Sequence, residues 1–368
     1  MSPFRSGLLM LGTALLLGCG HVVYKAPNHY GERFDFKRPP CHPAGEPPDD
    51  GRVAIRYLGA GGLAIRWRGQ ILLTAPFFSN YGFPRVPFGR LAPNRRAIWQ
   101  GMQGIPPARV GAILAGHSHY DHLGDLPIVA TDFAPRARIY VNDSGVKLLR
   151  HALGTRVESL EGSLGKPVPL TDASQHALPF RVFAVRSEHA PHFLRYHWAG
   201  GQVRGGFWEK PWEHLTLWHM RTGTTLSFVI ELLDERGKVR YRLYYQDAAS
   251  PAAVGAPPAA TVDRHGFDLA VLCMPAYNLV DDAPGWLLGK LQPRHVLAFH
   301  YENFFHGLSD PLEFAPLLTD PLANAYLAHI DKALGEEARK PLGSVCGPSS
   351  RKWTMPLPGE WLSFQLVD

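Results

Sequence analysis

The sequence predicts an α/β domain whose strands run out onto metal-competent side chains, and three observations carry that reading. Short apolar runs of strand length recur at 53–58, 110–115, 180–186, 225–232, 240–245, 269–274 and 295–299, bounded by polar or turn-forming residues. Four of these runs lead directly into His or Asp: His117, His189, Asp247 and His300. Near the C-terminus, Leu322, Tyr326, Ile330 and Leu334 repeat every four residues, the pattern of an amphipathic helix covering a sheet.

The first run, 53–58, leads into Gly59-Ala60-Gly61-Gly62-Leu63-Ala64, which fits the G-x-G-x-x-A dinucleotide fingerprint. That fingerprint requires a helix next and an acidic residue about twenty positions later. Here Leu63, Ile65 and Trp67 alternate with Ala64 and Arg66, Arg68-Gly69-Gln70 turns the chain, and 71–73 is apolar again. The alternation predicts a β-hairpin, and no acid stands at the required place. A nucleotide-binding reading therefore fails. A G-x-S-x-G elbow and a G-x-x-x-x-G-K-[ST] loop are also missing.

The run 110–115 leads into His117-Ser118-His119-Tyr120-Asp121-His122. Two imidazoles two apart on an extended segment point the same way. Asp121 and His122 fall where the chain turns into its next element and project toward a neighbouring position. Imidazole and carboxylate are ordinary zinc ligands, and two metals about 3.5–4 Å apart are a common hydrolytic arrangement. Further donors stand just past strand ends, where a sheet presents side chains to a crevice. His189 follows 180–186, with His192 and His197 competing for the same place. Asp247 follows 240–245, where it also suits a turn. His300 follows 295–299, with His295 and His306 as neighbours.

H-x-H-x-D-H after a strand, followed in order by a His, an Asp and a His at later strand ends, resembles the metallo-β-lactamase superfamily. The pattern is most similar to its ascorbate-6-phosphate lactonase and N-acyl-phosphatidylethanolamine phospholipase D-like branch, which shares the opening hairpin. The resemblance implies an αββα sandwich with a metal site at one edge, its halves spanning 52–190 and 225–368. It implies that His117, His119 and His189 hold one metal, that Asp121, His122 and His300 hold a second, and that Asp247 bridges them. Two zinc ions are expected, although iron or manganese accept the same ligands. The implied chemistry is hydrolysis by a water acidified between the two ions, with Asp121 and Asp247 in catalytic roles. Three positions depart from the family pattern. Ala75 stands where many relatives have Asp before Pro76, and Gln246 replaces the Gly that often precedes the bridging acid. Asp247 occupies the place that true β-lactamases give to Cys. That last difference argues against penicillin-type substrates and for phosphodiesters, lactones or thioesters.

Compartment is read from the N-terminus. Arg5, the apolar stretch 8–17 and Leu16-Leu17-Gly18-Cys19 suit a signal peptide too short to span a bilayer. The ending resembles a bacterial lipobox, which implies lipidation of Cys19 and a place in the cell envelope, on the outer membrane of a Gram-negative cell. Residues 1–18 would then be the signal peptide, 19–51 a Pro-rich tether and 52–368 the hydrolase domain. Of the remaining cysteines, Cys273 sits in an apolar run and reads as core, while Cys41 and Cys346 lie in irregular Pro/Gly-rich segments where a bridge is permitted. A formal net charge of +6 over 368 residues is modest. With arginines scattered and no basic stripe interleaved with aromatics, nucleic acid is not an expected partner.

An insertion at about 192–219 interrupts the strands. It carries Trp198, Phe207, Trp208, Trp212 and Trp218 among several glycines. Such a loop walls a substrate pocket, with Trp198, Trp208, Trp212 and also Tyr301 as lining, sits at a lipid interface, or closes the core edge. Together the anchor, the loop and the resemblance favour an amphiphilic phosphodiester or ester as substrate. A lactonase acting on a small cyclic ester, and a metal-binding envelope lipoprotein without turnover, are the alternatives.

Overall fold

The structure, a computed structural model, describes residues 49–192, 196–204, 212–263, 265–307, 310–316, 318–335 and 353–366. Among the described residues two sheets of seven strands each are formed. The first holds β1 (Val53–Gly59), β2 (Gly62–Trp67), β3 (Gln70–Thr74), β4 (Val110–Leu114), β5 (Arg138–Val141) and β6 (Val157–Ser159). The second holds β7 (Pro167–Thr171), β8 (Ala177–Ser187), β9 (Thr225–Leu233), β10 (Val239–Tyr245), β11 (Leu269–Cys273), β12 (His295–Phe299) and β13 (Trp353–Thr354). The last strand, β14 (Trp361–Phe364), returns to the first sheet and pairs with β1, so the orders are β14-β1-β2-β3-β4-β5-β6 and β13-β12-β11-β10-β9-β8-β7.

Pairing sense repeats between the sheets. From β14 inward the first sheet has three antiparallel contacts and then three parallel ones. From β7 inward the second sheet does the same. The division between halves differs from the expected one at 190: β7 and β8 belong to the second sheet. The reason lies in β8, which pairs with β9 from Phe180↔Leu232 to Ser187↔Thr225 across the whole insertion. A strand's own pattern does not reveal so distant a partner.

β4, β11 and β12 are buried along their whole length, which requires cover on both faces. One cover is the other sheet: the Trp67 indole N–H of β2 donates to the Leu233 carbonyl of β9 at 2.7 Å. The other cover is helical. The helices relevant here are α1 (Arg95–Gly101), α2 (Tyr120–Leu123), α3 (Asp143–Leu153), α4 (Gly285–Leu291) and α5 (Asp320–Leu334). Ile71, Leu73, Ile139 and Val141, alternate residues of their strands, share one core with Leu148, Leu149 and Leu153 of α3. The fold is the αββα sandwich that the resemblance implied.

The hairpin expected at 63–73 is β2–β3, and the periodic C-terminal segment is α5, burying Tyr326, Leu327 and Ile330. Several short elements carry no clear sequence signal, among them β5, β6, β13 and β14. α3 also goes beyond the expected elements, although Asn142 before it, Leu148, Leu149 and Leu153 along it and Gly154 after it mark a helix. β7 contains Pro167 and Pro169, which a central strand excludes; it lies at a sheet edge, where proline is tolerated. Cys273 is free and buried, as its apolar run suggested. Cys19, Cys41, Cys346 and almost all of the 19–51 tether lie outside the described residues. No helix among the described residues is long and apolar enough to cross a membrane.

Candidate metal centre

All four expected strand ends converge on one place. After β4, Gly116 lets the backbone pass close to its neighbours: a Cβ there would lie 2.1 Å from the Leu226 carbonyl oxygen and 2.6 Å from Asp247 Cβ. The chain bends at Gly116 and His117, and His119, itself extended, stands as the N-cap of α2. Asp121 and His122 therefore sit in the first helical turn, and the His122 ring lies 4.0 Å from that of His117, so the two positions that the spacing suggested adjoin at His117.

Around His117 the rings of His119 and His189 lie 4.7 and 4.8 Å away, and the His119–His189 separation is 4.9 Å. One donor atom from each of these three side chains falls within 4.8 Å of the others, and the same holds for His117, Asp121 and His122. Asp121 Oδ2 is 3.7 Å from His122 Nε2 and 3.4 Å from His300 Nε2, which gathers a second cluster on the other side. Asp247 stands between the two clusters. Its Oδ2 is 2.5 Å from His117 Nδ1 and its Oδ1 is 3.2 Å from His122 Nδ1. The seven predicted residues are thus brought together, and His192, an alternative for His189, joins them with its ring 4.5 Å from His189 and 5.3 Å from His119. His197 lines a neighbouring cavity instead, and His295 lies at the far end of β12.

Burial decides the charge state of the site. It pushes His117 below, and His119 and His189 well below, the usual imidazole range, and takes His192 down to about 4. Those rings are neutral near pH 7, the form in which imidazole binds a metal. Burial alone would raise the carboxyls, but the adjoining imidazoles override it: His122 and His300 hold Asp121 well below its normal value, and His122 and His117 do so for Asp247. For His122 burial opposes charge, and Asp247 and Asp121 outweigh it and raise its pKa.

Supporting residues hold each donor in place. The Tyr245 hydroxyl lies 2.8 Å from Asp247 Oδ1 and 2.7 Å from the Gly61 carbonyl oxygen, tying the β1–β2 turn to the site. At Gly61 an added Cβ would sit 2.7 Å from His122 Cε1, so the turn that mimics a nucleotide fingerprint is a wall against His122. Thr222 Oγ1 is 2.7 Å from His119 Nε2. Thr222 is positioned by Asn142, whose amide donates to the Thr222 and Thr224 carbonyls at 2.9 and 2.8 Å while its oxygen caps α3. His300 has a left-handed backbone (φ 60°), and its N–H donates to the Tyr57 hydroxyl at 2.9 Å. Tyr57 in turn donates to the buried Glu302 carboxylate, which also accepts the Ala60 N–H. Strained backbone held by such bonds gathers at functional sites. The sequence offered a signal only for Asn142, as an N-cap after a strand.

The aromatic residues assigned to an entrance are distributed differently. Tyr301 is fully buried, stacked on Tyr57 with its hydroxyl on the Pro356 carbonyl at 2.7 Å, and belongs to the core. Trp212 closes the core edge: it packs on the first sheet's core and donates to the Gly124 carbonyl at 2.8 Å. Trp198 is half-buried and stacks on the exposed Trp218 at 6.3 Å. Trp208 lies outside the described residues. What opens beside the site is a polar cavity of about 350 Å³, lined by His189, Arg186, Gln202, His197, Thr222 and Thr224 among others. Among the described residues the insertion supplies this wall through His197, Gly200, Gly201 and Gln202, not through Trp198, Trp212 or Trp218.

No protein-family model matches the sequence, and no curated protein matches it. Several solved structures are similar in shape. Igni18, a metallo hydrolase from the archaeon Ignicoccus hospitalis, aligns with a TM-score of 0.47 at 14% identity, covering 86% of this chain and 100% of that one. The metallo-beta-lactamase fold protein YhfI from Bacillus subtilis gives 0.46 at 11% identity, covering 85% and 99%. CmlA, a diiron beta-hydroxylase from Streptomyces venezuelae, gives 0.47 at 14% identity, covering 87% of this chain and 55% of that one.

Proposed function

We propose that the chain is a metal-dependent hydrolase with a dinuclear centre, acting on an anionic amphiphilic phosphodiester or ester. One observation carries the reading: buried His and Asp donors converge from both sheets with capacity left over. His117 Nε2, on the side of the ring away from Asp247, is buried without a hydrogen-bond partner. Leaving such an atom unpaired costs about 1–3 kcal/mol, which a bound cation would offset. The donor set suits a pair of divalent ions, with zinc the first candidate and iron or manganese compatible with the same atoms.

His117, His119 and His189 would hold one ion, Asp121, His122 and His300 the other, with Asp247 shared. When bound, such ions supply Lewis acidity and a water whose pKa falls to about 7. The protein's own part is positioning. Thr222 occupies His119 Nε2 and leaves Nδ1 available; the Ala190 carbonyl, 2.6 Å from His189 Nδ1, leaves Nε2 available. Asp121 and Asp247, held ionised, accept hydrogen bonds and orient the attacking water. The cavity suits a polar, anionic group, because Arg186 lines it and Glu188 is the one carboxylate among its described lining residues.

Metal analysis of the mature protein, with bis(p-nitrophenyl) phosphate, lactones and acyl esters as substrates, tests this reading. About two metal equivalents and phosphodiester or ester turnover are expected. Turnover confined to lactones would replace the substrate class, and metal without any turnover would leave a binding protein. We also propose anchoring through Cys19, on the strength of Leu16-Leu17-Gly18-Cys19. Cys19→Ser should release the protein from membranes or stall its processing; unchanged fractionation and maturation would refute the lipid anchor.

A further inference from the structure

Between Gly51 and Tyr120 the chain carries nine arginines and no Asp, Glu or Lys. Four of them, Arg85, Arg90, Arg95 and Arg96, are exposed on the excursion that leaves β3 and returns through α1. The same excursion displays Phe83, Phe88 and Trp99 at 45%, 88% and 57% exposure, and Trp218 beside it is 50% exposed. Arginine is scattered over the whole chain, as expected, but here it is interleaved with outward aromatics, a local pattern the sequence reading passed over.

The display is built into the fold. Asp125 accepts the Phe78 and Ser79 N–H groups at 2.6 and 2.8 Å, and Ser79 Oγ accepts the Asn94 N–H at 2.7 Å, closing the loop at its base. Tyr81 donates to the Leu91 carbonyl at 2.9 Å, Arg85 Nε to the Arg90 carbonyl at 2.8 Å, and Trp218 Nε1 to the Pro87 carbonyl at 3.3 Å. These bonds fix the loop with Phe88 outward, at 88% exposure. From Phe83 a run of ring contacts leads inward: Phe83–Phe305 at 5.7 Å, Phe305–Phe304 at 4.8 Å and Phe304–His300 at 5.0 Å.

We infer that this face docks on an anionic lipid bilayer. Aromatic side chains gain by entering the headgroup region, and each arginine near an anionic surface adds attraction. Charge argues against a second copy of the chain, since a two-fold contact would set arginines against arginines. Among the four arginines, Arg95 has an acidic partner, Asp132 at 2.6 Å, which leaves the outer face positive. The inference goes beyond the hydrolase reading and does not require it. If both hold, an amphiphile leaving the bilayer at Phe83 meets an apolar lane toward His300.

Hydrogen exchange of the full-length protein, reconstituted in vesicles, tests it without any turnover. The peptide covering 82–100 should be protected in equal parts phosphatidylglycerol and phosphatidylcholine and exchange freely in phosphatidylcholine alone, since any N-terminal anchor is common to both. Arg90→Gln with Arg96→Gln should weaken that protection on the order of tenfold, and high salt should mimic the change. Phe88→Ser should remove it while leaving the melting temperature unchanged. Equal exchange in both vesicle types would overturn the inference. So would protection in detergent that grows with protein concentration, which marks a second copy, or protection by a single-stranded oligonucleotide instead of lipid.

Discussion

The two sheets furnish the centre in opposite ways. The first supplies four donors from six consecutive residues at the end of β4, fixed by one strand-to-helix turn. The second supplies His189, Asp247 and His300 one at a time, from the ends of β8, β10 and β12. A contiguous block needs only local geometry to be right. The dispersed set depends on register between strands far apart in the chain, and Asp247 is where the two sets touch. The second sheet should therefore be the more fragile contributor, residue for residue.

The sharpest break of that comparison is Asp247→Ala against His189→Ala. Asp247 contacts both His117 and His122, so its loss should drop metal content below one equivalent and cut hydrolysis by well over about a hundredfold, the upper range for residues that merely support a ligand. His189→Ala should spare the second ion. Equal metal loss in the two variants would show that the clusters are not separable. Next in size is Gly61→Ala, which touches the first-sheet block from behind. The new Cβ meets His122 at 2.7 Å, and overpacking of this kind costs about 1–3 kcal/mol. A lowered melting temperature together with loss of one metal is expected, and a variant with full metal and wild-type stability would remove the wall assigned to this turn.

Smaller effects separate the supports of each set. Thr222→Val, behind His119, and Tyr245→Phe, behind Asp247, should each weaken metal binding by about tenfold to a hundredfold without unfolding the protein. Competition with a chelator reads this directly, and wild-type affinity in Thr222→Val would mean that His119 needs no partner. The smallest effect contrasts the two ends of β12. His295 is buried at the strand's start, and burial depresses its pKa to about 3. Unfolded, it titrates near 6.5, so the unfolded chain takes up the proton first. His295 thus contributes its full share of stability above about pH 6.5, and that share declines as pH falls toward 3. Between about pH 7 and 5.5 the loss is about 1 kcal/mol. Denaturant titrations of His295→Gln should show a flatter acid limb than wild type; an identical limb would reject the assignment.

How much was legible follows the same divide. The His117–His122 block and the strand ends were readable because each is a local pattern, an apolar run followed by a donor. The long strands and α5 were readable for the same reason. β5, β6 and β13 are short, β7 carries two prolines, and β14 follows a break in pattern, so each exists through its partner rather than through its own residues. Thr222 and Glu302 look like ordinary polar residues in sequence; only folding puts one against His119 and the other beneath Tyr57. The tryptophans misled because richness in aromatics does not say which way a ring faces: Trp212 points into the core, while Phe88, in a segment without evident pattern, points out.

The return of the chain to its beginning has a consequence in time. Tyr57, whose hydroxyl receives the His300 N–H, is itself gripped through its backbone by the closing segment: its N–H donates to the Glu360 carbonyl at 3.0 Å, and its carbonyl accepts the Gly359 N–H at 2.7 Å. Val53 pairs with Phe364, joining the first strand of the domain to the last. Until those final residues emerge, β1 is an open edge able to recruit the wrong partner. Without the closing segment Tyr57 keeps its hydroxyl but loses the two backbone bonds that hold it beneath His300. The tail is a clasp, and the second half of the centre is finished only when it shuts.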